Sequence, residues 1–438
     1  MRVDLNFSAI ALLLGALFVP AARAQEDVQS VEKPQTRQGL LRQKRLEKRR
    51  QVEPYQPNRV ERELVRFDKA ESPTIQDLNW YGFYPRIAWP ARGSGIAAGF
   101  RYWQRDFKGP LDLAGAAFYS WKSYQVYDIQ FGLIPHTGQR LPDKSWKGND
   151  VYELGDHKPG FSRIPFYGTF RYRYLPEEDF YGEGPDSELE NRTTYLLEET
   201  SLYLRTGYQF TENVVWMAGG GYVKNTLRPG KDSSLPTTQE IFDEGSAPGL
   251  TQAPNYARVG TSILVDYRDE PANPHKGFMV AGTLGRFDDR TEGAFSFNRF
   301  GIDTRGFIPL GSPQRILALR GAWLIDEADP GHQVPFFMQM SLGGSHTLRG
   351  FDSFRFRGEK VMLYQLEYRW EPAQIWEIAL FADTGTVSEP GGSLSFDELK
   401  WDYGVGLRFK NWRSVLVRIE VAWSQETTRY YFRASSSF

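Results

Sequence analysis

The amino-acid sequence predicts an all-β fold: a transmembrane antiparallel β-barrel of about sixteen strands. Three observations lead there. Long segments alternate apolar or aromatic residues with charged or small ones at a period of two, an export signal opens the chain, and an aromatic residue, Phe438, closes it. Composition agrees. The 438 residues include 30 Phe, 23 Tyr, 12 Trp and 42 Gly, yet only 40% are hydrophobic and the mean hydropathy is −0.51. No stretch reaches the roughly 18 consecutive apolar residues of a membrane-crossing helix. Acids and bases nearly balance at 54 and 53, which argues against nucleic acid as a partner. The absence of cysteine excludes disulfides, thiolate metal sites and cysteine nucleophiles.

Residues 1–24 read as a signal peptide. Ala9 to Val19 is an apolar run of 11 residues, too short to span, and Ala22-Arg23-Ala24 supplies a small-x-small cleavage site before Gln25. Removing them leaves 51 basic and 53 acidic residues, a net charge of −2 on an exported chain. Residues 25–79 form a periplasmic extension with a basic centre. Between Val31 and Lys69 it holds 12 Lys/Arg against 6 Asp/Glu, clustered at Arg42, Lys44, Arg45, Lys48, Arg49 and Arg50. Such a segment suits a tether to anionic headgroups or to an acidic partner. A solvated linker is the simpler reading, because Leu40, Leu41 and Leu46 are too few to build a core.

From residue 80 to 438 the period-two pattern takes over. Val259, Thr261, Ile263 and Val265 alternate with Arg258, Gly260, Ser262 and Asp266. Tyr364, Leu366, Tyr368 and Trp370 alternate with Gln365, Glu367 and Arg369, and Val417, Ile419, Val421 and Trp423 with Arg418, Glu420 and Ala422. The runs approach the ~9–11 residues of a tilted membrane strand, with aromatics toward their ends. A closed barrel satisfies every backbone group in lipid without helices.

Sixteen such runs are found: 82–89, 95–105, 111–121, 124–134, 162–174, 192–209, 213–225, 256–267, 277–286, 295–308, 314–326, 359–371, 375–384, 401–409, 413–424 and 428–438. With both ends periplasmic, the long connections 175–191, 227–255 and 327–358 fall outside the cell. Segment 135–161 breaks the rule as a long periplasmic loop, unless Val151 to Leu154 begins a further hairpin. In the last run Tyr430, Phe432 and Phe438 share the lipid-facing parity, which resembles the insertion signal read by the barrel-assembly machinery.

Gly343-Gly344-Ser345-His346-Thr347-Leu348-Arg349-Gly350-Phe351 resembles the GG…(V/L)RG(F/Y) motif of the BamA/TamA superfamily, also called bacterial surface antigen barrels. Phe381-Ala382-Asp383-Thr384-Gly385 resembles its FxDxG motif, and Asp266-Tyr267-Arg268-Asp269 with Pro274 and Gly277 its DxRD…P…G hairpin. Phe180-Tyr181-Gly182-Glu183-Gly184 resembles an FYGxG element of compact members. The resemblance spans residues 80–438 and implies a sixteen-stranded barrel whose sixth extracellular loop folds into the lumen. It also implies that the loop arginine, here Arg349, pairs with acids on the twelfth and thirteenth barrel strands, here Glu367 and Asp383. Parity independently turns Glu367 and Asp383 away from the apolar face. The polypeptide-transport-associated (POTRA) domains of well-known relatives are not expected within residues 25–79.

Chemistry that would suggest an enzyme is scarce. The histidines at 136, 157, 275, 332 and 346 show no metal spacing, and no GxSxG elbow or phosphate loop occurs. Ser345 and His346 are neighbours that point opposite ways on an extended chain. No enzyme activity, cofactor or metal is expected. The expected role is insertion, secretion or translocation of protein or lipid at the outer membrane, with that membrane's lipids and an unidentified client as partners. A passive pore and a structural surface antigen are the alternatives.

Overall fold

Alternating side chains give a strand two faces, and here those faces are inverted relative to a water-soluble protein. Outward-facing Ile129, Leu202, Leu204, Val259 and Leu380 are exposed, whereas Arg268, Arg349, Arg357, Arg369, Arg408 and Arg418 are among the largest fully buried side chains. A largely apolar outer face around a charged interior suits surroundings that are themselves apolar. The computed structural model describes residues 83–88, 93–134, 164–271, 273–291, 293–373, 375–410 and 415–433, with positions 43, 44 and 47. The chain divides into two units, Met1–Val60 and Glu61–Phe438. In the first, Gln43, Lys44 and Glu47 are helical.

The second unit carries the strands β1 (Phe83–Ala88), β2 (Ala97–Lys108), β3 (Leu111–Ser120), β4 (Gln125–Leu133), β5 (Phe166–Phe180) and β6 (Thr193–Thr211). They continue as β7 (Val214–Pro229), β8 (Tyr256–Asp266), β9 (Gly277–Asp289), β10 (Phe297–Pro309) and β11 (Arg315–Ala328). After β11 come two short strands, β12 (Met340–Leu342) and β13 (Phe356–Gly358), which pair only with each other. The series ends with β14 (Lys360–Ala373), β15 (Trp376–Val387), β16 (Lys400–Lys410), β17 (Val415–Trp423) and β18 (Thr428–Arg433).

All but β12 and β13 form one sixteen-stranded sheet in chain order, each strand antiparallel to the next. Its outer members, β1 and β18, are six residues each, and among the described residues they are not hydrogen-bonded to one another. Among the described residues the sheet is therefore an unclosed barrel wall.

The connections sort by length. One end of the sheet carries the long ones after β5, β7, β11 and β15, and the other carries short turns such as that between β6 and β7. β5 reaches Phe180, beyond the expected end at 174, because a register shift between Leu175 and Glu178 hides its alternation. Pro176 lies in that shift, where a missing N–H does least harm. Segment 135–161, with the hairpin considered at Val151 to Leu154, lies outside the described residues, as do residues 1–24 and Phe438.

Leu204 lies near the middle of β6 and faces outward. Leu204→Arg is expected to destabilise the barrel in lipid bilayers by about 2–4 kcal/mol, the cost of a guanidinium near the bilayer midplane. Denaturant titration of the protein refolded in vesicles measures this. On a water-facing surface the same change would stay within roughly 0.5 kcal/mol.

Candidate functional site

The connection between β11 and β14 turns back into the barrel, and glycine makes the turn. Gly343 has φ 111°, and a Cβ there would lie 1.9 Å from the Asp352 carbonyl oxygen. Gly344 follows at φ 88°. The Gly343 N–H donates to the Thr347 hydroxyl at 2.9 Å, which in turn donates to the Gly343 carbonyl at 2.9 Å. The Gly344 N–H donates to the Phe351 carbonyl at 3.1 Å. Leu348 and Phe351 are buried with Met340, Leu342, Phe356 and Leu363. The loop therefore has a small core of its own, and Arg349 stands between its two apolar neighbours.

Arg349 has no exposed side-chain surface. Its Nε and Nη2 donate to the two Asp383 oxygens at 2.7 and 2.8 Å, and its Nη1 donates to Glu367 Oε2 at 2.9 Å. The guanidinium stacks on the Phe381 ring, 3.5 Å from its centroid. A fork of fixed N–H donors suits this bidentate geometry, which a lysine ammonium would not reproduce. The FxDxG motif is thereby explained residue by residue. Phe381 is the platform and Asp383 the acceptor. Gly385 makes room for the loop, since a Cβ there would lie 3.0 Å from Leu342 Cδ1.

The pair belongs to a larger network that the motifs did not reveal. Glu367 also accepts from Arg369 Nε at 2.6 Å and from Arg408 Nη2 at 2.7 Å. Arg408 reaches Glu377 at 2.8 Å and Glu420 at 3.1 Å, and Arg418 reaches Glu420 at 3.3 Å. Their strands alternate in sequence, so inward charge was legible at each position, but partner choice was not. The wall also holds the loop by its backbone. Arg418 donates to the Ser345 carbonyl at 2.9 Å, Arg320 to His346 at 3.1 Å and Gln365 to Thr347 at 2.8 Å. Tyr431 donates to the Arg349 carbonyl and the Ser424 hydroxyl to that of Gly350, both at 2.8 Å. Gly350 must stay bare, because a Cβ would lie 2.5 Å from Asp402 Cβ.

Above the clasp, the Phe180–Gly184 element docks on β13. The Gly184 N–H donates to the Arg357 carbonyl at 2.7 Å, and Gly184 has φ 93°. Arg355 ties the same segment to the β17–β18 turn through Ser187 at 2.9 Å and Glu426 at 2.8 Å. Glu183 accepts a hydrogen bond from Gln339 in the loop. Burial, reinforced by Glu359 and Glu389, raises its carboxyl to about 7, although the Gln339 bond and Arg357 act the other way. At the opposite end, Arg268 grips Asp266 through two bonds of 2.9 Å and donates to the Pro271 carbonyl at 3.2 Å, shaping the DxRD turn. Gly277 at φ 103° closes it.

The other sequence-predicted residues are placed plainly. Glu367 and Asp383 meet Arg349 inside, Tyr430 and Phe432 are exposed on the outer face, and Phe438 lies outside the described residues. His275 contacts Glu371 at 2.8 Å, and His332 accepts from the Ser296 N–H at 3.0 Å. Among the described residues no group of three or more His, Cys, Asp or Glu is placed to hold a metal ion. The arrangement can hold a loop in a charged interior.

Arg349→Ala is expected to cost about 3–5 kcal/mol, the loss from breaking a buried ion pair, with the barrel still formed. Limited proteolysis near Ser345 should become faster. Asp383→Ala should match it, and the double variant should add little, because both remove one shared interaction. Fully additive effects would show the contact to be energetically idle. A second expectation concerns pH. Glu183 has a folded pKa above its ordinary value, so its contribution is complete below pH ~4.5 and is lost as pH rises through about 7. Protease access at the Gly184–Arg357 contact should therefore increase from pH 5 to 8, and Glu183→Gln should flatten that profile.

A family model described as the Omp85 superfamily domain matches residues 167–438. The fold is similar to a crystal structure of BamA from Haemophilus ducreyi lacking POTRA domains 1–3, with TM-score 0.55 and 15% identity over 81% of this chain and 68% of that one. Structures of CdiB from Acinetobacter baumannii and from Escherichia coli also match, with TM-scores 0.40 and 0.44 and identities 13% and 11%. Those alignments cover 78% and 82% of this chain, and 54% and 68% of the two CdiB chains. No curated protein sequence matches. The matched region contains the inward loop, its arginine and the carboxylates that receive it, and with it the chain belongs to the Omp85 superfamily.

Proposed function

We propose that this protein resides in the bacterial outer membrane and inserts, secretes or translocates a protein or lipid client there. Residues 1–24 act as its export signal, the mature chain starts at Gln25, and residues 25–79 are a basic periplasmic extension ahead of a barrel over 80–438. The short turns face the periplasm and the long connections the outside. Tyr430, Phe432 and Phe438 serve its own insertion by the barrel-assembly machinery. The observation that carries the reading is the pairing of a firmly seated interior loop with an unclosed wall. Arg349 and the wall donors fix the loop, while β1 and β18 are not joined to one another among the described residues. A wall weakest at one seam supports a client route through that seam.

Cell fractionation should place the protein in the outer membrane as a heat-modifiable band. A folded soluble periplasmic species would end the proposal. Because the chain has no cysteine, one introduced on each of β1 and β18 would supply the only thiols. Closing the seam with that disulfide should abolish client insertion or release, and reduction should restore it. A passive pore would be indifferent to the disulfide and would show a steady large conductance in planar bilayers. The proposed loop-filled barrel should be nearly silent, and Arg349→Ala should raise its conductance.

A further inference from the structure

A second interior feature lies on β6–β9, apart from the strands that grip the loop tip. β7 contains three consecutive glycines, Gly219 to Gly221. Gly219 faces inward, and the register sets it between Arg205 on β6 and Gly260 on β8, with Gly285 of β9 next in the same row. Three adjacent inward glycines leave a floor without side chains, and all three are half-exposed. Neighbouring β6 side chains use that floor. A Cβ on Gly221 would lie 2.4 Å from the Tyr203 ring, and one on Gly219 would lie 3.3 Å from Arg205 Cγ. Tyr203 and Arg205 thus lie across β7 toward β8, where Arg258 donates to the Tyr203 hydroxyl at 3.0 Å.

Arg205 is the anomaly. It is 9% exposed, its guanidinium lies 5.5 Å from the Tyr203 ring centroid, and its Nε has no hydrogen-bond partner among the described residues. Its charge meets no carboxylate there, unlike Arg173, which contacts Glu199 one turn of the same wall away. A buried cation is costly unless paired. The Ser262 hydroxyl, next inward after Gly260, is buried and likewise has no hydrogen-bond partner among the described residues. The groups around the floor therefore all offer protons: the guanidinium, the tyrosine hydroxyl already accepting from Arg258, and the serine hydroxyl.

We propose that this glycine-floored trough binds a phosphate group, with Arg205 as its charge partner and Ser262 as a second donor. A phosphate presents mainly acceptor oxygens toward both β6 and β8, and Gly260 and Gly285, beyond the stretch that Tyr203 and Arg205 cover, put no side chain in its way. The shared chemistry covers inorganic phosphate and a phosphorylated lipid headgroup.

The purified full chain in uncharged detergent is titrated with sodium phosphate against sodium chloride at equal ionic strength, and separately with micelles carrying dodecyl phosphate or dodecyl phosphocholine. Thermal unfolding and native mass spectrometry are the readouts. Phosphate-specific stabilisation with one equivalent bound is expected, and Arg205→Gln should weaken it at least tenfold, whereas Arg228→Gln, at an exposed site, should not. In phosphate-free chloride Arg205→Gln should be at least as stable as the parent, since it removes an unpaired charge. This reversal of order between buffers distinguishes a ligand site from a purely structural arginine. Binding of dodecyl phosphate without inorganic phosphate would assign the headgroup as the source, and binding of both the free ion. Equal stabilisation by chloride, or phosphate binding unchanged in folded Arg205→Gln, would overturn the proposal. Should that variant lose its heat-modifiable band, Ser262→Ala with the parent salt comparison decides.

Discussion

A guanidinium with no exposed surface needs its charge answered within its own contact shell, and the charged inner face of β14 to β17 follows from that need at Arg349. Asp383 supplies two oxygens in plane, Glu367 a third, and Phe381 a face. Each carboxylate so used is itself buried, so further arginines must approach from β14, β16 and β17 to complete the shell. Isolated pairs of this kind contribute little net stability, because desolvation offsets attraction. Their value is specificity: one loop position satisfies the set, and a displaced loop leaves several members unsatisfied at once.

The inversion of the faces follows from the same economy of charge. Interior arginines and acids are tolerable because they answer one another, and outward leucines and aromatics because their surroundings are apolar. Backbone pairing is extensive along the middle of the sheet, where the 19-residue β6 pairs with the 16-residue β7. Between β1 and β18 no such pairing joins the sheet among the described residues. Tyr431 links the two features. It belongs to the edge strand β18, and its hydroxyl holds the Arg349 carbonyl, so the loop seat and the seam share a residue.

Period-two alternation made the faces legible, and with them the strand number and nearly every strand position. It failed where geometry departs from a plain ladder, as at the shift after Leu175 that hides the end of β5. The Arg349–Asp383 contact was legible only through motif resemblance, because parity says which way a side chain points but not how far it lies from a residue 34 positions on. Arg418 and Glu420 show that limit. Their inward parity was readable, and their joint role was not. The carbonyl clasp left no trace at all in the sequence, since any residue at 345, 346 or 347 carries the same backbone oxygen.

Counting charge with and without the loop gives a last consequence. Arg349, Arg369, Arg408 and Arg418 balance Glu367, Glu377, Asp383 and Glu420 when the loop is seated. Without Arg349 the wall residues alone carry an excess negative charge. Asp402 is buried directly opposite Asp383 in the β15–β16 register. Two carboxyl groups so placed cannot both be charged without cost, and Arg349 lies against Asp383. Whatever takes the loop's place must therefore bring a cation or let a proton in. Neutral, apolar chain would leave the acids unanswered, so the loop and the wall behave as one electrostatic unit rather than a stopper in an inert tube.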